Sequence, residues 1–366
     1  MKLLVQPDDG IESLVKGINN AKRSIEIVVF RFDLTEIERA LANAVTRGLS
    51  VRALIAHTNR AGEENLRKLE MRLLAAGVTV ARTSDDLVRY HGKLMIVDGH
   101  ELYLLAFNWT YLDMERSRSF GIVTRSAAIV REGQRLFEAD SERRPYEPGT
   151  DTLVVSPVNA RRVLGEYIGG AQKSLVIYDP KVSDPGMLDL LEERAKAGVE
   201  IRIIGHLTKH IPGVEVCKLA SLRLHTRTMV RDGQTAFVGS QSLRAIELDG
   251  RREVGLIFRD RRIVSRLLET FEGDWKRAQE AAQTRDQEAP SAKVAKRVAK
   301  LVTRELPDVV PVVNGAVKEI AGEAVDVELS PEEIEEVVKT AVKEAVKEAV
   351  SDLVQEVVEK VDGTGR

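Results

Sequence analysis

The chain repeats itself, and a repeat at a fixed offset limits the fold to two copies of one unit. Residues 18–32 (INNAKRSIEIVVFRF) resemble residues 168–182 (IGGAQKSLVIYDPKV). Ile18, Ala21 and Ser24 match Ile168, Ala171 and Ser174, each 150 positions on. The same offset aligns residues 41–55 with 191–205, including Gly48 with Gly198 and Arg52 with Arg202, and it aligns Pro7 with Pro157. Further along the offset falls to 134: His91 matches His225, Asp98 matches Asp232, Gly99 matches Gly233 and Gly121 matches Gly255. The second copy has therefore lost about 16 residues between its early and late elements. The copies are expected at 1–135 and 151–282, with a linker and acidic helical tail at 283–366.

Each copy reads as α/β. A helix is predicted at 11–21, and Ile25–Phe32, rich in β-branched and aromatic residues, reads as a buried strand. Residues 35–48 have helical spacing (Ile37, Leu41, Ala44, Val45) and stop at Gly48, a suitable helix terminator. Ser50–Ala56 reads as the next strand. Strand, helix, strand in that order implies a parallel pair with a crossover helix. Lys93–Val97 and Glu101–Phe107 then read as two strands joined by a turn at Asp98 and Gly99, and the second copy repeats this through Asp232 and Gly233. A closing helix is expected at 262–283.

The residues able to carry chemistry lie at that turn. Residues 91–98 are HGKLMIVD and residues 225–232 are HTRTMVRD, so each copy holds a histidine, a basic residue two positions on and an aspartate seven positions on. On a strand, positions two apart share a face. Each copy can therefore set an imidazole beside a cation. Imidazole can attack phosphorus or donate a proton near neutral pH, and a fixed cation stabilises charge on the non-bridging oxygens. One such triplet is commonplace; two at equivalent places of a duplicated unit are not.

At these residues the chain resembles the phospholipase D superfamily, whose mark is the HxKxxxxD motif present twice. The resemblance covers about residues 3–275. It implies two mixed β-sheet units flanked by helices, with one shared active site between them. The family places Gly-Ser and then Asn or Ser downstream of the motif, which Gly239, Ser240 and Ser242 fit; the first copy keeps Asn108 but has Ala106 in place of the small polar pair. The family then has an acid about a dozen positions on, which Glu253 fits and Ser119 does not. The implied mechanism is a two-step displacement through a phosphohistidine, without a metal or other cofactor. His91, Lys93, His225, Arg227 and Glu253 are the implied catalytic set. Asn108, Ser240 and Ser242 are implied around the phosphate, while Asp98 and Asp232 organise the turns. If Glu253 orients the histidine of the opposite half, it holds His91 and makes it the nucleophile. Ser119 then leaves His225, the general acid, without an acidic partner.

Three function classes fit: a phospholipase D or cardiolipin-synthase-like phosphatidyltransferase acting on phospholipid, an endonuclease or other nucleic-acid phosphodiesterase, and a weakly active or inactive phosphate-binding module. The last is kept open by Arg227, Ala106 and Ser119. Charge suits all three. Residues 305–366 hold 6 Lys and Arg against 16 Asp and Glu, so the net of −2 for the chain leaves +8 on the remainder; a basic body suits an anionic substrate. With aromatics at 4% and no RNA-binding motif in view, sequence-specific nucleic-acid readout is disfavoured; phospholipid is the class that the family resemblance, more than the residues, favours. No run approaches 18 uncharged apolar residues, and the start MKLLVQPDDG has no secretory pattern. A cytoplasmic enzyme with peripheral membrane contact is the expectation. A helix at 330–361 begins at Ser330, Pro331 and Glu333, a capping-box pattern, and is read either as a self-association helix or as a strap against the basic body. The remaining histidines suggest little. His57 and His100 read as surface or structural, and His206 and His210 have the spacing of a helical metal pair with no third ligand. Trp109 reads as core.

Overall fold

The computed structural model describes residues 1–57 and 63–287. Within them the two copies form two seven-stranded arrays with the same strand order. In the first, the order from edge to edge is Lys2–Gln6, Ser117–Thr124, Glu101–Leu105, Leu94–Val97, Ser24–Val29, Ser50–Ile55 and Thr79–Arg82. In the second it is Leu153–Val155, Val254–Phe258, Thr235–Gly239, Arg227–Arg231, Ser174–Val182, Glu200–Leu207 and Val214–Cys217. The expected crossovers are present: helix Thr35–Thr46 links the parallel pair Ser24–Val29 and Ser50–Ile55, and helix Pro185–Lys196 links its counterpart. The first copy also has a helix at Glu63–Ala75 before its last parallel strand. The second goes from Glu200–Leu207 to Val214–Cys217 with no helix between. The lost residues are that helix.

The turns have a local cause. Asp98 and Gly99 lie at φ +54° and +68°, and Asp232 and Gly233 at +54° and +65°. Two successive positive φ values define the tight hairpin that matches strand twist, and Asp-Gly tolerates them. Each aspartate then works as a clasp. Asp98 accepts backbone N–H groups from Lys22, Arg23 and Ser24 at 2.6–3.1 Å. Asp232 accepts those of Gln172, Lys173 and Ser174 at 2.7–3.1 Å. Both carboxyls are thereby held below their usual range against the opposing effect of burial.

The copies are not separate bodies. Residues Met1–Gln279 form one compact unit. Its central apolar cluster draws on both sheets, with Leu94, Leu104 and Phe120 from the first and Val176, Val238 and Leu256 from the second. Helix Ala127–Ser141 and the closing helix, Arg261–Gln287, contribute Phe137, Phe271 and Trp275 to it. The closing helix runs past its expected end at 283, because Thr284, Arg285, Asp286 and Gln287 contain neither Gly nor Pro to stop it. The expected 330–361 helix lies outside the described residues. Among the described residues no helix is long and apolar enough to cross a membrane.

Two exchanges stitch the halves together. Arg89–Tyr90 pairs in parallel with Arg251–Arg252, and Arg223–Leu224 pairs with the start of Ser117–Thr124. Two buried arginines lock the same seam. Arg118 grips Asp274 of the closing helix at 2.8 Å and the Gln6 carbonyl at 2.9 Å. Arg252 grips Asp140 of helix Ala127–Ser141 at 3.1 Å and the Ser156 carbonyl at 3.1 Å. Each arginine thus binds a helix of the opposite half, and a buried arginine needs such a partner.

Candidate active site

The seam delivers the two motif histidines. His91 follows the exchanged strand Arg89–Tyr90, and its backbone N–H donates to the Arg252 carbonyl at 2.7 Å. His225 follows Arg223–Leu224, and its N–H donates to the Arg118 carbonyl at 3.1 Å. So each imidazole is carried by one half and fixed by the backbone of the other. Both residues are 7% exposed.

Around His91 the side chains are closely set. Its Nδ1 lies 2.8 Å from Oε2 of Glu253, which is fully buried. Lys93 Nζ is 3.0 Å from both ring nitrogens and donates to the His91 carbonyl at 2.8 Å. Phe30 meets the imidazole edge-on at 4.4 Å between centroids. Burial, then the charges of Lys93 and Arg227, push His91 well below its ordinary pKa. Burial brings Lys93 down to about 7, against the pull of Glu253 and with a further push from Arg227. Burial pushes Glu253 up, offset in part by Lys93 and Arg227. With Nδ1–H donating to Glu253, the neutral ring keeps its lone pair on Nε2.

The second histidine has a different setting. Arg227 Nη1 donates to the His225 carbonyl at 3.0 Å, as Lys93 does to that of His91. Its fork engages more: Nε donates to Ser242 Oγ at 3.1 Å, and Nη2 lies 3.6 Å from Glu247. Burial pushes His225 well below its ordinary pKa, with Asp113 opposing and Arg223, Arg227 and Lys93 reinforcing. Lys93 thus acts on His225 while Arg227 acts on His91, so the two motifs share one electrostatic site.

One expectation needs correction. Ser119 does remove the counterpart of Glu253, and its buried hydroxyl has no partner. His225 is nevertheless not without an acid. Asp113 Oδ2 lies 3.2 Å from His225 Nδ1, although not aligned as a full hydrogen bond. Asp113 was missed because it sits six positions upstream of the place where the family pattern puts its acid. The available signal was the offset of 134, which pairs Asp113 with Glu247. Phe30 carried no polar signal at all.

The residues expected around phosphate are all present at the site and all engaged with protein. Asn108 Nδ2 donates to Asp113 at 2.9 Å, and its buried Oδ1 has no partner. Ser240 Oγ accepts from the Val254 N–H at 3.2 Å, which fastens the loop to the strand beside Glu253. Ser242 holds Arg227. Asp98 and Asp232 contact backbone at the turns. The remaining histidines stand apart: His57, His100, His206 and His210 are exposed, and His206 lies on strand Glu200–Leu207, so the helical metal pair is not formed. Among the described residues no cluster of three or more His, Cys, Asp or Glu is arranged to hold a metal. Trp109 is fully buried.

Comparison with known proteins follows the same two copies. The family model described as "Cardiolipin synthase, PLD-like domain" matches residues 14–141 and 164–275. A polyphosphate kinase of Yersinia pestis is 23% identical over 304 residues, covering 74% of this chain and 44% of that protein. The mitochondrial cardiolipin hydrolase of Danio rerio is 28% identical over 124 residues, covering 34% of this chain and 53% of its own length. The chain therefore spans about half the length of these relatives. In fold it is similar to the crystal structure of polyphosphate kinase from Porphyromonas gingivalis, with a TM-score of 0.63 at 19% identity over 74% of this chain and 49% of that one. With the family model matching most of the chain, and with one motif from each copy meeting at the seam, this protein belongs to the phospholipase D superfamily.

Proposed function

We propose that the chain is a phosphodiesterase or phosphatidyltransferase that works through a phosphohistidine on His91, with phospholipid as its substrate class. One observation carries the reading: each half contributes a buried imidazole with an acid at Nδ1, and the two share the cations Lys93 and Arg227. In the first step the Nε2 lone pair of His91 attacks phosphorus. A P–N bond forms, the P–O bond to the leaving alcohol breaks, and a proton on His225 passes to that oxygen. In the second step water or an acceptor alcohol gives its proton back to His225 as its oxygen takes the phosphoryl group and the P–N bond breaks. His225 is neutral in the empty site; a phosphate anion arriving beside it favours the protonated form. Lys93 and Arg227 hold the non-bridging oxygens. His91 is the nucleophile because its contact with a fully buried carboxylate is the shorter one, at 2.8 Å against 3.2 Å. The family description and the cardiolipin hydrolase relative support a lipid phosphodiester. A second reading, transfer from a phosphoanhydride chain, is favoured by the polyphosphate kinase match over 74% of the chain.

The test is one panel, run in EDTA, of phosphatidylglycerol vesicles, cardiolipin vesicles, single-stranded DNA and inorganic polyphosphate, with alkaline quenching to trap a phosphohistidine. Turnover of a lipid, with loss of both turnover and phosphoenzyme in His91→Ala, is the expected result. Full activity in His91→Ala would remove it from the chemistry. Turnover of polyphosphate alone would move the assignment to the second reading.

A further inference from the structure

The two halves hold their acids differently. Asp113 and Glu247 are equivalent by the repeat. Each accepts the backbone N–H of the residue five positions earlier, Asn108 at 2.7 Å and Ser242 at 2.8 Å, so each closes the same loop. Their remaining contacts diverge. Glu247 faces arginines: Arg244 at 3.2 Å, Arg251 at 3.3 Å and Arg227 at 3.6 Å. Asp113 faces Arg223 at 2.5 Å, Ser117 at 3.2 Å and, through Oδ2, the ring of His225 at 3.2 Å. The residue is fully buried. Ser119, which occupies the counterpart position of Glu253, is buried and makes no side-chain hydrogen bond. Among the described residues Asp113 is the carboxylate that meets the Nδ1 edge of His225.

We infer that Asp113 is the positioning residue of His225, taking over from the short upstream helix Tyr111–Glu115 the task that Ser119 does not perform. The inference rests on the proposed phosphoryl-transfer reading and assigns a residue that the family pattern does not point to. Burial would raise the pKa of Asp113, but the charges at His225 and Arg223 and the Asn108 N–H overturn that and hold it at about 2. A fixed carboxylate at Nδ1 selects the neutral tautomer with its proton on Nδ1 and stabilises the imidazolium that donates from Nε2. Because Asp113 divides its charge between His225 and Arg223, that support is looser than the support Glu253 gives His91. A proton donor must let its proton go.

The experiment separates orientation of an acid from general structure. Two phosphodiesters sharing one ester arm are compared, one losing p-nitrophenolate and one losing a primary alkoxide. Each is followed in single turnover, so that only the first step is read. Asp113→Asn is expected to slow alkoxide departure by roughly 10²-fold, the scale of general acid catalysis, and to leave nitrophenolate departure within about threefold, since that leaving group needs no proton. Equal losses on both substrates, or none on either, overturn the inference. A second measurement does not need turnover: ¹⁵N shifts of His225 in the full chain are expected to show the neutral ring protonated at Nδ1, and a ring protonated at Nε2 overturns it. Failure of the broader reading has its own mark, an enzyme that forms no phosphohistidine on His91.

Discussion

Lys93 lets the site be interrogated by pH. It is 1% exposed and its ammonium is brought down to about 7, first by burial. The lysine is therefore half protonated near neutrality, and below that point it supplies the positive charge assigned to it. His91 is held well below its ordinary pKa by burial and by Lys93 and Arg227, so it stays unprotonated across the same range, as the proposed attack requires. A diester with p-nitrophenolate as leaving group removes the general acid from the profile. For that substrate kcat/KM, which reports the free enzyme, is expected to be level below about pH 7 and to fall roughly tenfold per pH unit above it, as Lys93 loses its proton. The limb in kcat should lie higher, because a bound phosphate anion favours the ammonium. Lys93→Arg, the residue the second copy already uses at this place, keeps its charge throughout and should abolish the limb. Lys93→Met should lower the rate below about pH 7 by roughly 10²- to 10³-fold, the cost of losing one charge-stabilising donor, and the gap to wild type should close as the pH rises. A wild-type profile level from pH 6 to 9, or a limb that persists in Lys93→Arg, would refute the assignment.

Two further outcomes follow from contacts already described. Arg227→Lys keeps the bond to the His225 carbonyl but abandons Ser242 and leaves Glu247 one cation short; it is expected to cost about 1–3 kcal/mol of stability and to lower kcat/KM, measured by denaturant unfolding and steady-state kinetics. Unchanged or raised activity would mean that Arg227 is an impaired lysine. Asp98→Ala and Asp232→Ala each strand three backbone N–H groups and are expected to lower stability by about 1–3 kcal/mol with kcat intact; a selective loss of kcat would place either aspartate in contact with substrate.

Much of this arrangement was legible before any coordinates. A repeat with one slip of register predicts two equivalent sheets, and an Asp-Gly turn predicts the hairpin that carries each motif. The helix that accounts for the slip, Glu63–Ala75, was not read from the sequence. Other features depend on where the halves meet. The Arg118 and Arg252 locks use aspartates from the opposite half's helix, and no periodicity within one copy points to them. The repeat does: Arg118 with Arg252, and Asp140 with Asp274, keep the offset of 134. Ser240 and Ser242 were placed around the phosphate by the family resemblance. In the structure Ser240 bonds to Val254 and Ser242 to Arg227.

The repeat also sets a physical problem that the side chains resolve. Two identical halves would present two identical histidines, while the proposed displacement gives them unlike roles: an attacking base on one side of phosphorus and a proton donor on the other. Backbone alone cannot distinguish them, since Arg252 and Arg118 hold His91 and His225 by the same kind of bond. The difference lies in the acids. Glu253, itself fully buried, gives His91 a short contact, strengthened by low local dielectric. Asp113 gives His225 a longer contact and splits its charge with Arg223. Losing the acid at position 119 therefore does not by itself disable the second half. On the proposed reading it assigns the roles, because the histidine with the tighter carboxylate is held for attack and the one with the looser carboxylate is free to release its proton.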